Sequence, residues 1–336
     1  MRPIPLNLLT LYEDLVQNVE VADVPAATVS IRTVRGKKRL YATERTGSTY
    51  RQTYLGLEDD PAAQEKAEGI RLAAQSSKLR RTTVSLLKQA KIPAPSLPVG
   101  RILEAVAKAG LFEQGLVLIG TIAYQTYPCV VGSYLPSSQT KTQDADFAIA
   151  KFAVPNLARG DDMEAILKRA DPSFKPHWHS TDTNLPRKFV SPSLGLEVDL
   201  VTTSARSNQP VVPIPGLNCA AVPLKFLEYL IEDTRPAVAL FGSGVPVRVP
   251  GPARYAVHKL IVASERTQHG KRQKDLAQAR ELIDILIQTD ESSLQDALDD
   301  ARERGRSWKT AVNSSLREIK RDARQGRLPF PTGKKE

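Results

Sequence analysis

Hydrophobic positions keep a different period in each third of the chain. Val29, Ile31, Val34, Leu40, Tyr41, Tyr50 and Tyr54 are β-formers strung around Gly36 and Gly47, and they predict a small hairpin or meander. Asp60 then offers an N-cap and Pro61 a first helical position for a long helix reaching about residue 91, with Gly69 or Ser76 as the places where it would break. The stretch IPAPSLPVG, residues 92–100, carries three prolines and reads as a linker. Beyond it, helix and strand patterns alternate to about residue 222. RILEAVAKAGLF is an amphipathic helix, GLVLIG a buried strand ending at Gly120, DADFAI a second strand, and LGLEVDLVTT a third. The last third is helical. PARYAVHKLIVASERTQ and QKDLAQARELIDILIQ both keep the helical period, and Leu276, Ala279, Ile283, Leu286 and Ile287 fall on one side of the second. GSGVPVRVPGP, between sheet and helices, reads as a turn.

These patterns predict an α+β protein: an N-terminal basic hairpin and long helix (1–98), a core with a small mixed β-sheet (99–222), and a C-terminal helical bundle with a basic tail (223–336). The length of 336 residues, 41% hydrophobic and 25% charged, suits a globular chain with a substantial core. No apolar run approaches a membrane span and no full signal peptide is present, so no membrane partner is expected. Cys129 and Cys219 are the only cysteines; they read as buried hydrophobes in a reducing cytoplasm. The net charge of +10 is uneven, with eleven Lys or Arg against four acids in residues 301–336 and a second basic cluster in RTVRGKKRL, residues 32–40. Basic ends of this kind suit a polyanion such as RNA, DNA or a phosphate-bearing substrate.

The chemistry concentrates in three places. Gly120 and Thr121 follow a buried strand, where a glycine lets a phosphate approach the backbone and a neighbouring hydroxyl can bind it. Asp144 and Asp146 are one residue apart, so on a strand both carboxylates share a face. Asp199 lies on a further strand with Glu197 on the same face, and periodicity does not choose between them. Carboxylates converging from adjacent strands bind a divalent cation such as Mg²⁺ or Mn²⁺, which also bridges nucleotide phosphates. His177 and His179 in HWH read as a surface or substrate-contacting loop. Ser204, Ser207 and His258 lack any nucleophile-elbow context for a hydrolase.

Gly120-Thr121, then Asp144-Ala145-Asp146, then Asp199 resembles the signature of the DNA polymerase β-like nucleotidyltransferase superfamily. YAVHKLIVASER followed by KDLAQARELIDIL is similar to the helical half of bacterial nucleotidyltransferase-fold proteins and of abortive-infection toxins in that superfamily, and Tyr54-Leu55-Gly56 after a basic hairpin also resembles the former group. Thr121 replaces the usual Ser or Gly, and the spacing from Gly120 to Asp144 is longer than the compact pattern. The resemblance implies that Asp144, Asp146 and Asp199 are catalytic and hold metal, and that Gly120, Thr121, Lys259 and Arg266 bind the nucleotide. Lys259 and Arg266 are seven apart on one helix face; Lys274 and Asp275 read as a local ion pair. The implied activity is transfer of a nucleotide from an NTP to a hydroxyl, on RNA such as tRNA, a protein or a small molecule. A binding protein of this fold without turnover, or a toxin restrained by a regulatory partner protein, are the other readings of the same residues.

Overall fold

The structure is a computed structural model, and it describes residues 1–19, 27–46, 49–139, 144–149, 162–178, 185–203, 211–214 and 216–324. Beyond the expected elements, the chain opens with a helix, α1 (Leu6–Val19). Its Tyr12 and Leu15 are buried in a small cluster with Val84, Leu87, Ile92 and Val238, and it is this tertiary packing that sustains the helix. The meander expected next is present as β1 (Ala27–Val34), β2 (Lys37–Thr46) and β3 (Thr49–Leu57), an antiparallel three-stranded sheet. Helix α2 (Pro61–Gln89) runs unbroken through Gly69 and Ser76. It does so because its two ends are anchored separately: Ala63 and Ala67 pack under the meander against Leu40, and Val84 and Leu87 pack against α1. Asp60 caps it as expected, accepting a bond from the Ala62 N–H at 3.0 Å.

The central sheet has seven strands among the described residues. Helix α3 (Leu97–Lys108) precedes β4 (Leu116–Ile119), short helices α4 (Gly120–Tyr124) and α5 (Tyr127–Val130) follow, and then comes β5 (Asp144–Ile149). Helix α6 (Met163–Ala170) leads to β6 (Lys175–His177), β7 (Lys188–Ser191), β8 (Leu196–Thr203), β9 (Val212–Ile214) and β10 (Cys219–Leu224). β5 lies between β4, antiparallel, and β8, parallel. The other edge of β8 is shared: its first half pairs with β7 and its second half with β10. The mixed sheet is therefore as anticipated. Ala145, Phe147, Val198 and Leu200 point into the main core, as the alternation required.

After α7 (Leu227–Ile231) the chain forms a two-stranded hairpin, β11 (Thr234–Ala239) and β12 (Val245–Pro250). The expected turn at GSGVPVRVPGP is thus mostly strand. Val245, Val247 and Val249 alternate into the core, and Pro246 and Pro250 are tolerated because β12 has a partner on one side only. Four helices close the fold: α8 (Pro252–Glu265), α9 (His269–Thr289), α10 (Glu291–Glu303) and α11 (Arg306–Arg324). Ser315 on α11 donates to the Leu260 carbonyl at 2.7 Å, and Tyr229 to the Ala297 carbonyl at 2.7 Å, tying the bundle together. Both cysteines are buried and free. No described helix is long and apolar enough to cross a membrane.

The meander rests on α2 by a close approach at Gly56, where a Cβ would stand 2.5 Å from the Ala63 Cβ and φ is +147°. Gly69, in contrast, faces open space. Gly69→Ala should therefore slow amide exchange in α2 by the roughly 0.5–1 kcal/mol that separates the two residues in a helix. Gly56→Ala should speed exchange in β2 and β3 by a cost of about 1–3 kcal/mol. Hydrogen-exchange mass spectrometry resolves both, and equal effects at the two sites would contradict this packing.

Candidate active site

The two strand acids meet through register. In the parallel pair β5–β8, Asp146 lies directly opposite Asp199, and Asp144 opposite Glu197. Residues opposite one another in a sheet project from the same face, so Asp146 and Asp199 stand side by side, away from the core that takes Phe147 and Leu200. The side chain of Asp144 lies outside the described residues. Among the described residues no three His, Cys, Asp or Glu side chains gather as a metal-binding group.

Gly120 abuts this pair. Its φ is +68°, in the left-handed region, and a Cβ would lie 2.5 Å from Asp146 Oδ2. The first turn after β4 thus passes directly over the carboxylate, and only glycine allows it. Two further bonds hold that turn. The Tyr255 hydroxyl on α8 donates to the Gly120 carbonyl at 2.9 Å, and the Lys274 ammonium on α9 donates to Thr121 Oγ1 at 2.8 Å. Burial first, then Tyr127, Asp275 and Asp146, push the Tyr255 hydroxyl well above its ordinary range. It stays protonated and keeps donating. Tyr124, Tyr127 and Tyr255 pack ring to ring, with centroids 5.1–5.9 Å apart, behind the turn. Tyr124 in turn donates to Glu281 at 2.9 Å, and Glu281 takes the Ser137 N–H and hydroxyl, anchoring the segment before β5.

The helix cations gather at the junction of α8 and α9. Lys259 and Arg266 meet as the spacing suggested, although α8 ends at Glu265 and Arg266 is already extended. What they meet is Asp275: Lys259 Nζ lies 2.6 Å from Oδ1 and Arg266 Nε 3.2 Å from Oδ2. Asp275 is therefore the shared anion of this corner, and Lys274 reaches the Gly120–Thr121 turn. The expected simple Lys274–Asp275 pair does not describe either residue. One buried carboxylate thus serves two cations beside the turn. His258, one residue from Lys259, is pulled down to about 3 by burial and by the Lys259 charge, which removes it as a proton acceptor at neutral pH. Ser204, Ser207 and His179 lie outside the described residues.

Sequence reasoning missed Lys188. On β7 it stands opposite Asp199, and its ammonium lies 2.6 Å from Glu197 and 3.3 Å from Asp199. Burial works against that charge, but the two carboxylates outweigh it and raise the Lys188 pKa. Glu197 is held below the usual carboxylate range, first by its hydrogen bond from Lys188. His177 on β6 pairs with Lys188 in register, so one row crosses the sheet as Asp146, Asp199, Lys188 and His177. The signal available in sequence was slight: a lone lysine opening the short apolar run Lys188–Ser191. The Glu197 shift has a sign that can be checked. A carboxylate held low stabilises the fold above its unfolded pKa and loses that stabilisation as pH falls through the folded value. In Lys188→Met, Glu197 should titrate at higher pH, near the ordinary value of about 4.3. Carboxyl ¹³C NMR titration reads this directly, and an unmoved Glu197 would refute the pairing.

A family described as Nucleotidyltransferase matches residues 98–303, more than half of the chain. No curated protein matches it. The crystal structure of an antigenic nucleotidyltransferase-like protein from Paracoccidioides brasiliensis is similar at 16% identity, covering 66% of this chain and 94% of its own, with a TM-score of 0.35. That likeness is too distant to add to the fold described above. The matched span runs from the start of α3 to the end of α10 and contains Gly120, Asp146, Asp199 and the Lys259–Asp275 corner. The chain belongs to this nucleotidyltransferase family.

Proposed function

We propose that the protein is a metal-dependent nucleotidyltransferase that moves a nucleotide from an NTP to a hydroxyl acceptor and releases pyrophosphate, with RNA, such as tRNA, as the acceptor. The observation that carries this reading is the register of β5 and β8, with Asp146 beside Asp199 next to the Gly120 turn. Two carboxylates are the share of ligands a protein commonly gives Mg²⁺, the rest being waters and substrate phosphates, so the donor set suits Mg²⁺ or Mn²⁺. Asp146 and Asp199 would hold the ion, with Asp144 as a further ligand. When bound, such an ion neutralises charge on the transferring phosphate and lowers the pKa of the attacking hydroxyl. Asp199 would accept the proton of that hydroxyl. Gly120 leaves backbone room for the phosphates, and Thr121 offers its hydroxyl. Lys259, Arg266 and Lys274 supply positive charge for the triphosphate and the departing pyrophosphate.

A second reading rests on one observation: Lys188 already neutralises Glu197 and approaches Asp199. A site with its acids so paired also suits a protein that binds nucleotide or nucleic acid without turnover. The two readings part in one experiment. The protein is incubated with α-labelled NTPs, Mg²⁺ or Mn²⁺, and pools of RNA, protein or small molecules. Label should enter the RNA pool and disappear with chelator. Loss of a metal site's outer partners alone costs about 10–100-fold, so Asp146→Asn and Asp199→Asn should each lower transfer by about a hundredfold or more. Absence of label in every pool, or transfer undiminished in both variants, would overturn the enzyme reading.

A further inference from the structure

The β1–β3 meander lies before residue 98, outside the family match. Its two faces differ sharply. Val29, Leu40 and Leu55 pack onto Ala63 and Ala67 of α2. Register puts the opposite parity on the other face: Ser30 opposite Tyr41, Arg32 opposite Arg39, and Tyr41 opposite Tyr54. That face carries aromatic rings under arginines. Tyr41 and Tyr54 have centroids 5.4 Å apart, Arg32 lies over Tyr41 at 5.7 Å, and Arg39 over Tyr54 at 5.8 Å. Tyr54 is 49% exposed and Tyr50, further along β3, 69%. Residues 27–57 hold seven Lys or Arg and one acid, Glu44. Lys38 is paired with Glu58 at 3.3 Å, yet the segment stays strongly basic, and neither a core nor an ordinary solvated face calls for exposed tyrosines under arginines.

We infer that this open face of the N-terminal sheet binds single-stranded RNA and brings it to the protein. Cations follow the phosphate backbone, and exposed rings and guanidinium planes stack on unpaired bases. A duplex keeps its base faces inside its own stack, where these tyrosines have nothing to meet. Unpaired loops and ends of RNA present such bases as their usual state. The inference takes from the nucleotidyltransferase reading only its expectation of an RNA acceptor. Binding itself requires neither nucleotide nor metal.

The test is fluorescence polarisation of the full chain with a labelled unstructured RNA oligonucleotide, in chelator and without NTP, with duplex DNA of equal length as competitor. RNA should bind in a salt-dependent way and duplex DNA should compete poorly. Arg32→Ala and Lys37→Ala should each flatten the log–log salt slope by about 0.7. Tyr54→Ser should weaken binding roughly tenfold while Tyr54→Phe, which keeps the ring, binds like wild type. Circular dichroism of each variant checks that the sheet persists. Absent RNA binding, preference for the duplex, or a Tyr54→Ser protein that keeps its fold and full affinity would overturn the inference. Asp146→Asn should bind RNA normally, so failure of the transfer reaction and failure of this surface are read separately.

Discussion

The register of one parallel strand pair sets the arrangement of the candidate site. Because side chains alternate along a strand, slipping β5 against β8 by one residue would exchange the Asp146–Asp199 pair for a mismatch with core residues. The slip is forbidden by burial. Ala145, Phe147, Val198 and Leu200 are all within 1% of complete burial, and none could change faces without opening the main core. The apolar side of the sheet thus fixes the polar side. Two carboxylates that would avoid each other in water are held adjacent by hydrophobic residues facing the other way.

The pair gains its setting from the helices. Tyr255 and Lys274 bond the turn at Gly120 and Thr121 from α8 and α9, so the helical bundle and the sheet meet at the turn itself. Behind them, Asp275 gathers Lys259 and Arg266. A carboxylate so buried is tolerated because two cations surround it, and removing it would leave those charges without compensation. On the far side, Lys188 does the comparable work for Glu197 and Asp199. Lysines thus flank the adjacent acids, Lys188 against Glu197 and Asp199 and Lys274 at the Thr121 turn.

Much of this was legible from periodicity. Strand alternation at Ala145–Phe147 and Val198–Leu200 put the acids on one face, and the helical period of residues 252–288 anticipated α8 and α9. Other parts depended on partners distant in the chain. The face of helix α1 that carries Tyr12, Leu15 and Val19 at helical spacing finds its cover in Val84, Leu87 and Val238. The strand at Val245–Pro250 was obscured by prolines that only an edge position permits. A break at Gly69 was expected from local propensity, and packing at both ends of α2 overrode it.

By itself the sequence determined which residues could bear charge, which faces they would occupy, and that a glycine would end the strand before the acids. Those properties follow from side-chain chemistry and the short periods of helix and strand, and they need no knowledge of distant contacts. Only the tertiary structure decided which charges would meet. Asp275 joined Lys259 and Arg266, Lys274 reached Thr121, and Lys188 came to rest against Glu197 and Asp199. Ion pairing depends on distances of a few ångströms between elements far apart in the chain, and those distances are set by how the hydrophobic core closes.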